Sequence, residues 1–193
     1  MNYKILLALP ILFSICVKHQ AFSQQKKNKQ EVIQIPEFPI DESNGLITYS
    51  DVVEAAGSKN ELYKKALKWF NTFYKNPANV IKSKDETDSK INGKPKFRIY
   101  IDDPKAGVKS NAGTVLYNID VQCKDGRFKY DISKFIWVKS SPFPIEKWIE
   151  ETNKKYNHAY ASYLLQTDEY IRNLIDNLIK FMTAAEEPKP TDW

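Results

Sequence analysis

Residues 95–138 constrain the fold more than any other stretch of the chain. Phe97, Ile99 and Ile101 alternate with Arg98, Tyr100 and Asp102. Further on, Val115, Tyr117, Ile119, Val121 and Cys123 alternate with Leu116, Asn118, Asp120, Gln122 and Lys124, and Phe128, Tyr130 and Ile132 alternate with Lys129 and Asp131. A period of two sends successive side chains to opposite faces of a pleated strand. Three such runs therefore predict an antiparallel meander with one buried and one solvated face. Asp125 and Gly126, between the second and third runs, are the strongest turn signal, because this pair supplies the backbone freedom of a tight hairpin.

Helical patterns flank the meander. Ser58 with Glu61 three residues later forms a capping box, and Leu62, Ala66, Trp69, Phe70 and Phe73 follow at helical spacing until Asn76 and Pro77 end the run. A strand over 45–50, extended by Val52 and Val53, precedes this helix. A short strand over 80–86 follows it, and residues 90–94 lead into the first run of the meander. After Pro142 and Pro144 the spacing turns helical again, first at Ile145, Trp148 and Ile149. From Ser162 onward Leu164, Thr167, Ile171, Leu174, Ile175, Leu178 and Met182 recur at intervals of three and four. The order β-α-β-β-β-β-α(α) predicts a two-layer α+β domain, an antiparallel sheet of about five strands with helices on one face. The other face then carries Arg98, Tyr100, Asp102, Leu116, Asn118, Asp120, Gln122, Lys124, Lys129 and Asp131.

The beginning of the chain reads as a secretory signal: Lys4, an apolar run from Ile5 to Val17, then Ala21, Phe22 and Ser23 at a cleavage site. The domain organisation expected is a signal peptide at 1–23, a disordered or proline-extended leader at 24–40, one α+β domain at 41–186 and a flexible tail at 187–193. The apolar run is short for a membrane span, so no stable span is expected after cleavage; an uncleaved anchor is the alternative. Ile15 directly before Cys16 makes a poor lipobox and disfavours a lipoprotein. The expected location lies across the inner membrane, in the periplasm or on the outer surface. Cleavage removes Lys4 and Lys18 and no acid, leaving 27 basic against 24 acidic side chains, so no strong single-sign field is implied. Cys123 is then the lone cysteine. Its place in the alternation makes it a buried thiol, with an intermolecular disulfide as the alternative.

One set of residues carries a family resemblance. It comprises Glu61, Leu62 and Tyr63 with Lys68, Trp69 and Phe70 on the first helix, the stretch from Val80 and Ile81 to Asp85, and Asp125, Gly126, Arg127, Phe128, Lys129 and Tyr130 at the hairpin. Over 45–136 the chain resembles a family of secreted proteins of Bacteroidota-type bacteria, a domain of unknown function described as having a TATA-binding-protein-like fold. The resemblance implies that fold and supplies no activity, cofactor or catalytic residue. The fold name does not imply DNA binding, because function belongs to sites. A minor-groove binder needs basic and wedge-like apolar side chains on its sheet, whereas Asp102, Asp120 and Asp131 occupy outward positions here. Nucleic acid is not an expected partner.

Residues able to carry chemistry are sparse. After cleavage His158 is the one histidine, with Ser162 four residues on and no nucleophile elbow around it. The acids Asp85, Glu86 and Asp88 lack the glycine and spacing of a calcium loop, and Asp102 and Asp103 read as solvated turn residues. No catalytic residue, metal or cofactor is assigned. Eleven tyrosines and four tryptophans exceed what a core of this size requires, and aromatic side chains serve binding surfaces well. Tyr100, Leu116, Asn118 and Trp148, on or beside the open sheet face, are the expected ligand-binding residues. The expected function is a non-catalytic binding or structural module that contacts an envelope protein or glycan, as a monomer or weak homodimer. The alternative is an envelope-directed hydrolase built on paired carboxylates or on His158.

Overall fold

The hairpin at Asp125 and Gly126 forms where the sequence places it. Strands β6 (Val108–Lys124) and β7 (Arg127–Val138) pair antiparallel with Lys124 opposite Arg127, and Gly126 adopts φ +74°. These strands are the centre of the sheet in the computed structural model, which describes residues 32–103 and 107–185. The expected signal peptide, the expected leader up to residue 31 and the expected tail at 187–193 lie outside the described residues.

Around this pair the strand order is β1 (Ile40–Asp41), β2 (Leu46–Glu54), β7, β6, β4 (Lys90–Gly93), β3 (Ile81–Asp85), and every pairing is antiparallel. Strand β5 (Lys96–Asp103) pairs with the first half of β6, and β8 (Pro142–Pro144) with the end of β7. The expected five strands are thus eight. Two of the additions, β1 and β8, are only two and three residues long. The third arises because residues 90–102 divide at Lys94 and Pro95. Proline has no N–H for the ladder. At this break Lys94 N donates instead to Val80 O, and Pro95 O accepts from Tyr117 N. Both pieces still follow one another along the same edge of β6, with Gly93 opposite Ile119 and Lys96 opposite Leu116.

The helices α1 (Lys59–Phe73), α3 (Glu146–Lys154) and α4 (His158–Thr183) pack on one face of this sheet, giving the two-layer α+β architecture that the patterning implies. The short α2 (Pro77–Val80) links α1 to β3. Ser58 caps α1 as expected: its hydroxyl accepts from Glu61 N, and Glu61 Oε2 accepts from Ser58 N at 2.7 Å. Helix α4 begins earlier than the apolar spacing shows, because the Asn157 carboxamide accepts from the amides of Ala159 and Tyr160. Ile47, Val115, Tyr117, Ile119, Val121 and Ile132 from the strands, with Leu62, Phe70, Leu164, Ile171 and Leu178 from the helices, form the core. Each such side chain contributes about 1.5–3 kcal/mol when fully buried.

Polar tethers fix the helices on the sheet. Tyr49 of β2 donates to the buried Asp168 of α4 at 2.7 Å, and Arg172 Nε holds the other carboxylate oxygen at 2.8 Å. Trp69 Nε1 donates to Asn177 at 2.8 Å and joins α1 to α4. The β6–β7 hairpin tip grips the start of α1: Lys59 N donates to Asp125 Oδ1, Gly126 N to Gly57 O, and Ala55 N to Gly126 O. On the outer edge of β5, Gln166 of α4 accepts from Tyr100 N at 3.0 Å and donates to Tyr100 O at 2.8 Å. Among the described residues no helix is long and apolar enough to cross a membrane.

Candidate functional site

The uncovered face of the sheet follows from the same alternation that builds the core. Its register sets Lys96, Leu116, Ile136 and Pro144 side by side across four strands, and next to them Asn118 opposite Ser133 and Ser133 opposite Thr48. A bulge shapes this region. Between Leu116 and Asn118 the pairing with β7 slips, and Lys134 takes φ +59°. A bulge bends its strand and re-aims side chains, and here it brings Ser133 and Lys134 together beside the apolar row. Farther along, the same face is self-paired and polar. Lys90 and Asn92 contact Asp120 at 3.4 and 2.7 Å, and Lys129 and Ser50 contact Asp131 at 2.9 and 2.6 Å.

Two clefts adjoin the apolar row. The larger, about 900 Å³, lies between the C-terminal end of α1, the α2 turn, the β4–β5 break and β6. Phe73, Tyr74 and Tyr170 form its aromatic wall, with Val80, Pro95 and Leu116. Four lysines line it, namely Lys75, Lys82, Lys94 and Lys96, and no acid does. The ion pairs among the described residues join Lys90, Lys129 and Arg172 to aspartates, and none engages a cleft lysine. The second cleft, about 460 Å³, is lined by Asn118, Lys134, Ile136, Pro144 and Glu146, and it shares Lys94 with the first. Leu116 and Asn118, neighbours on the face, thus stand one in each cleft.

Phenols back the larger cleft: Tyr74 and Tyr170 line it, and the fully buried Tyr117 lies behind them. The hydroxyls of Tyr74 and Tyr117 lie 3.3 Å apart, and Tyr170 stacks on Phe97 at 4.1 Å between ring centroids. Burial pushes all three tyrosines above the ordinary phenol range. They are therefore neutral hydrogen-bonding groups at any physiological pH, and the cleft's charge is that of its lysines.

Of the expected ligand-binding residues, Leu116 and Asn118 share the open face at the junction of the two clefts. Tyr100 lies apart, 39% exposed, on the far portion of β5 where Gln166 binds its backbone. Trp148 is in the helical layer at 0% exposure, enclosed by Trp137, Phe143, Tyr160 and Tyr163 with centroids 5.4–6.3 Å away. It therefore takes no part in a surface patch, because α3 turns its ring inward between the end of β7 and α4. The cleft lysines, Phe73 and Tyr170 did not stand out in the sequence. They come from four separate segments, at 73–75, 82, 94–96 and 170, that only the folded chain brings together.

Groups able to carry chemistry stay dispersed. His158 Nδ1 lies 3.2 Å from the hydroxyl of Tyr156, which also accepts from Ile33 N, and the Ser162 hydroxyl is bound instead to Gln166. No group of three or more histidines, cysteines or acids suited to a metal ion occurs among the described residues. Cys123 is buried, and burial raises its thiol to about 12.

Residues 49–137 match a family model described as "Domain of unknown function (DUF4468) with TBP-like fold". No curated protein matches the chain. A TBP-like protein from Parabacteroides distasonis shares the fold with a TM-score of 0.59 at 18% identity, covering 81% of this chain and 100% of its own. A DUF4468 family protein from Bacteroides ovatus does so with a TM-score of 0.60 at 20% identity, covering 80% of this chain and 93% of its own. The hairpin, the strands around it and the capped first helix fall within the residues that match this family model, and the chain shares the TBP-like fold of these two structures.

Proposed function

We propose that this protein is a non-catalytic, secreted binding module of the cell envelope that contacts its partner through the open sheet face at Leu116 and Asn118. The observation that carries the reading is the change of character along that face. Its distal part is closed by its own ion pairs and hydrogen bonds around Asp120 and Asp131. The part around Leu116 instead offers half-buried apolar side chains at Ile136 and Pro144 beside two clefts and unpaired lysines. Binding surfaces combine such an apolar centre with a polar rim. His158 pairs with Tyr156, and the Ser162 hydroxyl accepts from Gln166, so the His158-based form of the hydrolase reading gains no support. The apolar run and the small residues Ala21 and Ser23 at the expected cleavage site support export.

Hydrogen exchange on the intact chain, with and without a bacterial envelope fraction, tests this reading. The expected result is added protection confined to residues 94–96, 116–118 and 133–136. Absence of protection there, or release of cleaved envelope fragments by the purified protein, overturns it.

A further inference from the structure

The larger cleft differs from the rest of the molecule in its charge. The chain as a whole is close to balanced, with 29 basic and 24 acidic side chains. Yet the cleft gathers Lys75, Lys82, Lys94 and Lys96 around an aromatic wall with no carboxylate among its lining residues. Local needs account for part of this. Lys82 Nζ donates to Asn79 O at 2.8 Å, and Lys75 directly follows the last turn of α1, where a cation meets the negative end of the helix. Lys94 and Lys96 have no such duty. They flank Pro95 at the strand break and are exposed, and Lys94 belongs to both clefts. Like charges around one low-dielectric concavity reinforce each other's field and raise the local concentration of an anion.

The remaining lining groups narrow the class of anion. Phe73 and Tyr170 offer ring surface, and the exposed carboxamides of Asn76 and Asn79 offer neutral hydrogen-bonding groups beside them. Flat aromatic area, neutral hydrogen-bonding groups and separated ammonium charges together suit a ligand with apolar ring faces, many hydroxyls and carboxylates spaced along its length. Lysine, a point charge on a flexible stem, suits such distributed charges better than a single planar anion, for which arginine would be expected. The second cleft, which shares Lys94, adds Asn118 and Lys134 and room for more than one ring; its one acid, Glu146, accepts from Ile47 N at 3.1 Å. We infer that this groove binds an acidic oligosaccharide of the uronate type, an inference that rests on the binding-face reading above and names the ligand class for it.

The test is calorimetric titration of the intact chain with tetragalacturonate, maltotetraose, inorganic phosphate and tetrathymidylate. Tetragalacturonate is expected to bind saturably, maltotetraose weakly or not at all, and the affinity should fall steeply with salt as the Debye length shrinks from about 10 Å at 0.1 M to about 3 Å at 1 M. The pair Lys94→Glu and Lys96→Glu should weaken tetragalacturonate by about tenfold or more, since each reverses a charge facing the ligand. Both positions are exposed, and an unchanged thermal melt verifies that the fold is intact. Equal binding of maltotetraose overturns the role of charge. Equal binding of tetrathymidylate overturns the sugar assignment, and displacement by phosphate at matched concentration reduces the site to a simple anion sink. If tetragalacturonate fails while an envelope fraction still protects residues 116–118 from exchange, the ligand class is wrong and the binding face stands.

Discussion

Two groups of aromatic residues were built from similar side chains and serve opposite ends. Around Trp148, the rings of Trp137, Phe143, Tyr160 and Tyr163 close on one another until Trp148 is wholly buried. Sealing is costly. Trp148 Nε1 and, one helical turn on, Thr152 Oγ1 are left buried without a hydrogen-bond partner among the described residues. Around the large cleft, Phe73 and Tyr170 are held by stacking on one side only. Phe73 lies on Trp69 at 5.0 Å and Tyr170 on Phe97, while lysines and carboxamides keep the other side open. Aromatic content alone therefore does not locate a site. The charged groups that stand beside the rings do.

Breaking the sealed group should have the largest effect. Trp148→Ala removes the ring at its centre and should cost about 3–5 kcal/mol, seen as a large fall in the denaturation midpoint. Retention of tetragalacturonate binding by the fraction that stays folded is expected; its selective loss would place Trp148 in the site after all. Gly113→Ala comes next, since Gly113 has φ +128° and an added Cβ would meet Trp137 Nε1 at 2.2 Å. The strained backbone and the displaced indole should cost about 2–3 kcal/mol, and near-ultraviolet circular dichroism should report the indole's movement. Tyr49→Phe, which takes one hydrogen bond from the buried Asp168, should cost about 1–2 kcal/mol in urea denaturation. On the open side, Lys94→Glu and Lys96→Glu should change stability by no more than about 0.5 kcal/mol, so that any loss of binding they cause belongs to the cleft.

Cys123 gives the mildest test of the closed side. Its folded pKa of about 12 against an ordinary 9.0 means that the folded state keeps a proton the unfolded state has lost between those values. The contribution is fully present below about pH 9 and declines as pH rises toward 12. At pH 8 the thiol should not react with a disulfide reagent until the protein unfolds. Reaction in the folded state would show that the layer over β6 opens.

The two regions also differ in how far the sequence disclosed them. Strict alternation from Val115 to Cys123 revealed β6, its inner face and the buried thiol, because a strand's pleat links neighbouring positions by a fixed rule. The capping box at Ser58 and the turn at Asp125 and Gly126 were equally local and equally legible. The split at Pro95 was less so, since β4 and β5 lie collinear along β6 and read as one run. Trp148 misled because a helical spacing shared with Ile145 and Ile149 does not say what lies over that face. The cleft lysines were invisible for a different reason. Lys75, Lys82, Lys94 and Lys96 are separated by Asp85, Glu86 and Asp88, which balance them in the sequence, while in the fold those acids do not line the cleft.

The Gln166 carboxamide bound to Tyr100 has a consequence for how copies of this chain meet. An outermost strand offers its spare backbone groups to any passing chain, and pairing of two such rims is a common beginning of aggregation. Here one side-chain amide, presenting a donor and an acceptor as a peptide unit does, occupies the outward pair of β5 at Tyr100. A single glutamine on a helix thus takes the place of a neighbouring strand at this one residue, where Tyr100 and Ile101 expose apolar surface.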